Sequence, residues 1–245
     1  NIHVSLALAV MQRRLVSSIF AIMNTLGRRW RSLQSIVDET RNNPEIWKQK
    51  HKLEGYDVGN LDEYEELEDD ERDALDNILS DPRKFKLFTT AKNIQEIQKE
   101  AAEVKNLYET AQNLYNREQE EKKFQELQEL LKNNGVLDRG EKLVIFTEHK
   151  DTLLYLEERL TRSGGYTVAT IHGGKSVDER REAVWAFAKP DTQILIGTDA
   201  AGEGINLQFC RLLINWDIPW NPSRLEQRMG RIHRYGQKQD VLVFN

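Results

Sequence analysis

Cysteine is almost absent: Cys210 is the only one in 245 residues. That excludes an internal disulfide and fits a reducing compartment. A single cysteine beside apolar neighbours is expected in the core. Histidine is sparse as well, and the five present are scattered without the spacing of metal ligands. No apolar run approaches the roughly 20 residues that a membrane span needs. The opening "IHVSLALAV" is cut off by Gln12, Arg13 and Arg14. It has no basic stretch before it and no small-residue cleavage site after it, so secretion has no support and a cytoplasmic setting is expected. Asn rather than Met at position 1 is read as the mark of a fragment of a longer protein.

A phosphate-binding loop is missing too, although "ATIHGGKSVDER" (residues 169–180) imitates one. Such a loop needs a glycine separated by four residues from its Gly-Lys pair, so that the backbone can curl around the phosphates. Ala169 occupies that place, inside an apolar run. What is left is either an ordinary tight turn or an anion-friendly one, with backbone N–H groups at Gly173 and Gly174 beside Lys175. "GTDAAGEGIN" does not support a dinucleotide fingerprint either, since Gly202 and Gly204 lack the third spaced glycine.

Charge is present but uneven. The net charge of −5 hides a block at residues 54–76 in which Arg72 is the only cation. Such a block reads as solvated surface, or as an interaction tail or nucleic-acid mimic. The last third of the chain is locally basic.

Periodicity divides the chain in two. Residues 1–135 read as helical, with Ser17 or Ser18 as a cap between two segments. Ile94, Ile97, Ala101, Val104, Tyr108, Ala111 and Tyr115 form a heptad seam. The pattern breaks near residues 116–121, and a further helix through Phe124, Leu127, Leu130 and Leu131 stops at Gly135. From residue 136 to 245 the period changes. "LVIFT", "TVATI", "QILIGT", "LLINW" and "VLVF" are short continuous apolar runs, and amphipathic helical patterns separate the first three. That combination predicts an α/β fold, a parallel sheet covered by helices on both faces, with ligands at the carboxyl ends of the strands.

"WNPSRLEQRMGRIHRYGQ" (residues 220–237) carries the strongest chemical signal. Asn221 can cap a helix, Pro222 suits its first turn and Gly236 can end it. Arg224, Gln227, Arg231 and Arg234 fall within an arc of about 80°. Leu225, Met229 and Ile232 are expected to face the core. Only Glu226 offers the arginines local relief. A solvated charged helix is the bland alternative, but a one-sided row of guanidinium groups suits a phosphate.

In order, "LVIFTEH", "IHGGKSVDER", "ILIGTDAAGEGINLQ" and "QRMGRIHRYGQ" resemble the second RecA-like lobe of a superfamily-two helicase. The closing segment resembles the Swi/Snf-like branch, and "INWDIPWNP" its bacterial and archaeal HepA-like subgroup. The resemblance is strong over about residues 140–245 and weak over the helical half, which is similar to the helical protrusions of relatives. It implies that ATP and Mg2+ are held mainly by a first RecA-like lobe, whose motifs this chain does not contain. Arg231 and Arg234 match arginine fingers directed at the γ-phosphate. Gly204, Asn206 and Gln227 match positions near the nucleotide. Thr147, His172, Gly173, Gly174, Lys175 and Thr198 match positions that touch the nucleic-acid backbone. Glu203 departs from the pattern by placing a carboxylate inside the fifth motif.

The resulting expectation is the carboxyl-terminal motor lobe of an ATP-dependent translocase on double-stranded DNA. The lobe would be inactive alone and would reside in a prokaryotic cytoplasm or nucleoid. An RNA-directed helicase lobe, and a non-catalytic module docking a protein through the helical half, remain as alternatives.

Overall fold

The computed structural model describes residues 2–42, 91–117, 121–136, 138–199, 205–219, 221–233, 237 and 239–245. The acidic stretch at 54–76 lies outside the described residues. Two compact units are present, with the boundary between residues 118 and 119.

The first unit contains helices α1 (Ile2–Ser17), α2 (Ile19–Asn42) and α3 (Ile94–Asn116). Ser18 separates α1 from α2, and its hydroxyl accepts from the Ala21 N–H at 3.1 Å, the cap expected at this position. Asn93 caps α3 in the same way, accepting from the Glu96 N–H at 3.0 Å. The heptad positions Ile97, Ala101, Val104 and Ala111 are buried against Ile22, Leu26, Leu33, Ile36 and Val37 of α2. Arg29, itself buried, pairs with Glu100 at 2.6 Å beside this seam.

The second unit begins with α4 (Lys122–Asn133), so this helix goes with the sheet. Phe124, Leu127 and Leu131 are its buried face, and Phe124 meets Tyr155 edge-on with ring centroids 6.0 Å apart. Gly135, at φ +70°, ends the segment. The chain then alternates through β1 (Leu143–Thr147), α5 (Lys150–Gly164), β2 (Val168–Ile171), α6 (Val177–Ala188), β3 (Ile194–Thr198), β4 (Leu212–Asn215), α7 (Pro222–Ile232) and β5 (Leu242–Phe244). All strand pairs are parallel, in the order β2-β3-β1-β4-β5. The result is a five-stranded parallel sheet flanked by helices.

Burial on both faces explains why the strands read as continuous apolar runs rather than as alternating ones. Every residue of β1, β3 and β4 is buried. One face collects Val144, Phe146, Leu195 and Leu213 against Ala183 and Phe187 of α6 and Ile232 of α7. Residues one step along, Leu143 and Ile145 among them, point to the opposite face, and α5 buries Leu153, Leu156 and Leu160. A capping box starts α6: the Ser176 hydroxyl accepts from Glu179 N–H, and the Glu179 carboxylate accepts from Ser176 N–H. Among the described residues, no helix is long and apolar enough to cross a membrane.

Candidate functional site

The carboxyl ends of β1, β3 and β4 lie side by side in the sheet, and the chain places a polar group at each. Thr147 ends β1, Thr198 ends β3 with Asp199 next to it, and Asn215 ends β4 with Asp217 two residues on. Helix α7 begins just past this edge, capped by the Asn221 side chain with Pro222 in its first turn, as its sequence demands.

Arg228 ties the helix to the edge. Its Nε donates to Asp199 Oδ1 at 2.5 Å and one Nη to Oδ2 at 2.8 Å, a fork on a carboxylate. Its other Nη donates to Asn215 Oδ1 at 3.1 Å and to the Asp217 carbonyl at 2.7 Å. The side chain is only 2% exposed. Asp217 carries the network on to β1: its carboxylate accepts from the Thr147 hydroxyl at 2.6 Å and from the Glu148 N–H at 3.3 Å. Lys123 of α4 lies 3.5 Å from the same carboxylate, with its ammonium 4.6 Å from the Trp216 ring centre. One buried guanidinium and one carboxylate thus fasten three strands and two helices together.

This arrangement corrects the sequence-based picture of α7. Met229 was expected in the core and is 41% exposed, whereas Arg228 is buried beside Ile232. The buried stripe runs through 228 and 232 because Asp199, distant in sequence, supplies the counter-charge. Relief for the arginines likewise comes from Asp199 and not from Glu226 alone, since Arg224 lies 3.6 Å from its carboxylate. Arg231 differs from its neighbours. It is half-buried, three residues beyond Arg228, and among the described residues its guanidinium has no ion-pair or hydrogen-bond partner. Its backbone carbonyl accepts from Leu207 N–H at 3.0 Å, binding the end of α7 to the loop after β3. Gln227 is exposed, and so is Asn206, whose side chain folds into a local turn by accepting from Gln208 N–H at 3.2 Å. Arg234, Gly204 and Glu203 lie outside the described residues.

The expected backbone-contact residues fare unequally. Thr147 is fully buried and its hydroxyl is committed to Asp217, so its side chain is not presented to a ligand. Thr198 is 2% exposed, and its hydroxyl lacks a hydrogen-bond partner among the described residues. Lys175 does not reach outward: its ammonium folds back onto β2, donating to the Thr170 carbonyl at 2.7 Å and hydroxyl at 2.9 Å. Arg180 stabilises the same turn by donating to the carbonyls of Lys175 and Gly173, both at 2.9 Å. Gly174 is exposed and His172 and Gly173 are half-buried, which leaves the turn open to a ligand. Burial, followed by the nearby charges of Lys150, Lys175 and Arg180, pushes the His172 imidazole below its ordinary pKa, with Glu179 opposing. Among the described residues, no group of three or more His, Cys, Asp or Glu could hold a metal ion.

The missed residues are Arg228, Asp199 and Asp217. The only signal for them was the first arginine of "QRMGR", which reads as one more surface cation until its long-range partner is known.

Residues 122–236 match the helicase conserved C-terminal domain family. The chain is 47% identical over 105 residues to the uncharacterized ATP-dependent helicase YqhH of Bacillus subtilis (strain 168), covering 43% of this chain and 18% of that protein. To the RNA polymerase-associated protein RapA of Vibrio cholerae serotype O1 (strain M66-2) it is 39% identical over 108 residues, covering 43% and 11%. The chain therefore spans less than a fifth of the length of these relatives. Among solved structures, it is similar to the C-terminal part of the Fun30 ATPase domain, with 26% identity and a TM-score of 0.48, over 63% of this chain and 54% of that one.

Proposed function

With residues 122–236 forming a helicase conserved C-terminal domain of the Swi/Snf-like kind, we propose that the chain is the second motor lobe of an ATP-dependent double-stranded DNA translocase in a prokaryotic cytoplasm. In this reading Arg231 is a finger for the γ-phosphate of ATP held on a first RecA-like lobe. One observation carries it: on a single helix, Arg224 and Arg228 are neutralised by Asp199, while the half-buried Arg231 has no partner among the described residues. A partly desolvated guanidinium without a counter-charge is costly, and an incoming phosphoryl group supplies one.

The rest of the edge then has a role. Arg228 holds α7 rigidly against the sheet, and Arg231 follows on the neighbouring turn, with Cβ atoms about 5–6 Å apart at this spacing. A finger works only if its position is fixed before charge develops on the phosphoryl group. Magnesium bound with ATP would supply neutralisation of phosphate charge, held mainly by the first lobe. Closing the lobes brings Arg231 to the phosphate, and opening withdraws it. The turn at His172, Gly173 and Gly174 offers contacts to the sugar-phosphate backbone, which position a strand without reading its sequence. Arg234 and Gly204 are assigned their roles by the resemblance alone.

The test is ATP turnover by the full-length protein with duplex DNA, single-stranded DNA or RNA. Stimulation by duplex DNA, lost in Arg231→Ala, is expected, and the isolated chain should hydrolyse nothing. Preferential stimulation by RNA would move the assignment to an RNA-directed lobe. A protein partner on the helical unit is the second reading, favoured by the exposed Leu8, Leu15 and Val16 of α1 and by a relative named for its association with RNA polymerase.

A further inference from the structure

Helix α4 opens with two lysines and no acid in its first turn, where the helix dipole disfavours a cation. Lys122 is exposed and offset within the helix by Glu126, 3.8 Å away. Lys123 has the buried Leu127 at the corresponding position instead. Its charge is answered from a distant part of the chain: the ammonium lies 3.5 Å from Asp217 Oδ1 and 4.6 Å from the centre of the Trp216 ring. The Asp217 side chain is 9% exposed and Trp216 is buried, while Lys123 is 37% exposed, so the cation reaches the sheet edge from outside. Residues 216–220 are all that separate β4 from the Asn221 cap of α7. Asp217 fixes this short connection twice. Its Oδ2 accepts from the Thr147 hydroxyl at 2.6 Å, and its carbonyl accepts from Arg228 at 2.7 Å. A shift of Asp217 therefore moves both the approach to α7 and one acceptor of the guanidinium that holds α7 in place.

We propose that Lys123 is a positioning residue for ATP turnover: held between Asp217 Oδ1 and the Trp216 ring, it fixes the connection from β4 to α7 and, through Arg228, sets where Arg231 stands. This rests on the reading of Arg231 as the finger. The reason is geometric. Thr147 restrains one oxygen of the Asp217 carboxylate and Lys123 the other, so a neutral side chain at 123 frees the carboxylate to turn and the connection to shift with it. The half-exposed ion pair adds little to folding, because solvent screens it. Its effect falls instead on the alignment of a charge, where misplacement by about 1 Å can cost about 10²-fold in rate.

The experiment measures ATP turnover by the full-length protein as wild type, Lys123→Met and Lys123→Arg, each with and without Arg231→Ala. Methionine keeps an unbranched chain beside Trp216 and removes the charge, whereas arginine keeps the charge and can lie over the ring. Lys123→Met should lower kcat by about tenfold, less than a full ångström of misplacement costs, with the KM for ATP and the melting temperature nearly unchanged. Lys123→Arg should recover most of the rate. In the Arg231→Ala background Lys123→Met should change kcat by less than about twofold, because a residue that acts through another adds nothing once that other is gone. A wild-type kcat in Lys123→Met overturns the inference and leaves the finger reading standing. So does an equal fold loss in both backgrounds, or a raised KM with kcat unchanged. Wild-type turnover in Arg231→Ala overturns the underlying reading instead.

Discussion

Replacing Arg228 by methionine removes the guanidinium but keeps an unbranched apolar chain beside Ile232. Four hydrogen bonds disappear: two to Asp199, one to Asn215 and one to the Asp217 carbonyl. The Asp199 side chain, 9% exposed, is left with Arg224 at 3.6 Å as the ion-pair partner seen among the described residues. Removing one member of a buried pair costs about 3–5 kcal/mol, because the other charge stays desolvated. That is a large share of the roughly 5–15 kcal/mol that holds a typical domain folded. The loss falls first on α7, which should open locally before the sheet does. Hydrogen exchange in the full-length protein reads this directly. Protection of amides within 222–232 should fall by about two to three powers of ten, at 1.4 kcal/mol per factor of ten. Amides of α3, in the other unit, should be unaffected. Adding Asp199→Leu should restore most of the protection, since no charge is then left buried without its partner. Unchanged exchange in Arg228→Met, or a double variant worse than the single one, would refute the reasoning.

Three further outcomes follow from the geometry. Gly174→Ala should weaken duplex binding by the full-length protein about three- to tenfold (about 0.7–1.4 kcal/mol), because its Cβ would stand 3.1 Å from the Lys150 ammonium and 3.3 Å from the His172 ring and so displace the turn. Cys210 should resist iodoacetamide in the native protein at pH 8 and react once denatured, since burial pushes its thiol up to about 12 and only thiolate reacts. His172 titrates below its ordinary 6.5 in the folded chain, so the unfolded chain binds more protons between those two values. Stability is therefore lost as pH falls through that window, and His172→Gln should lose less of it between about pH 7 and pH 5, measured by thermal melts across the range.

Local chemistry was legible in the sequence, and long-range pairing was not. The five apolar runs became the five strands; β1, β3 and β4, buried along their whole length, show why runs in the middle of such a sheet are continuous and not alternating. "VDERREAVWAFA" became α6 over the same twelve residues. The Ser18 break and the heptad positions of α3 were also visible, since caps and periodicity are properties of neighbouring residues. Helix α7 existed as expected, but its rotation did not follow from its own composition. A hydrophobicity pattern assigns Met229 inward and Arg228 outward, and the order reverses because Asp199 reaches Arg228 across 29 positions. Lys175 shows the same effect on a smaller scale: a cation beside two glycines reads as a ligand group, but the carbonyl of Thr170 claims it. Thr147, which the resemblance matches to a backbone-contact position, has its hydroxyl claimed by Asp217, 70 positions away.

The central claim is that Arg231 acts on charge appearing during phosphoryl transfer and not on ATP at rest. It is tested most directly by comparing, in the full-length wild type and Arg231→Ala, the affinity for a non-hydrolysable ATP analogue with that for the ADP–aluminium fluoride mimic of the transferring phosphoryl group. The account predicts nearly equal affinity for the analogue. Affinity for the mimic and the rate of turnover should both fall, the latter by about 10³-fold or more. Loss of the analogue and the mimic in equal measure, or a variant that turns over ATP at the wild-type rate, would contradict it.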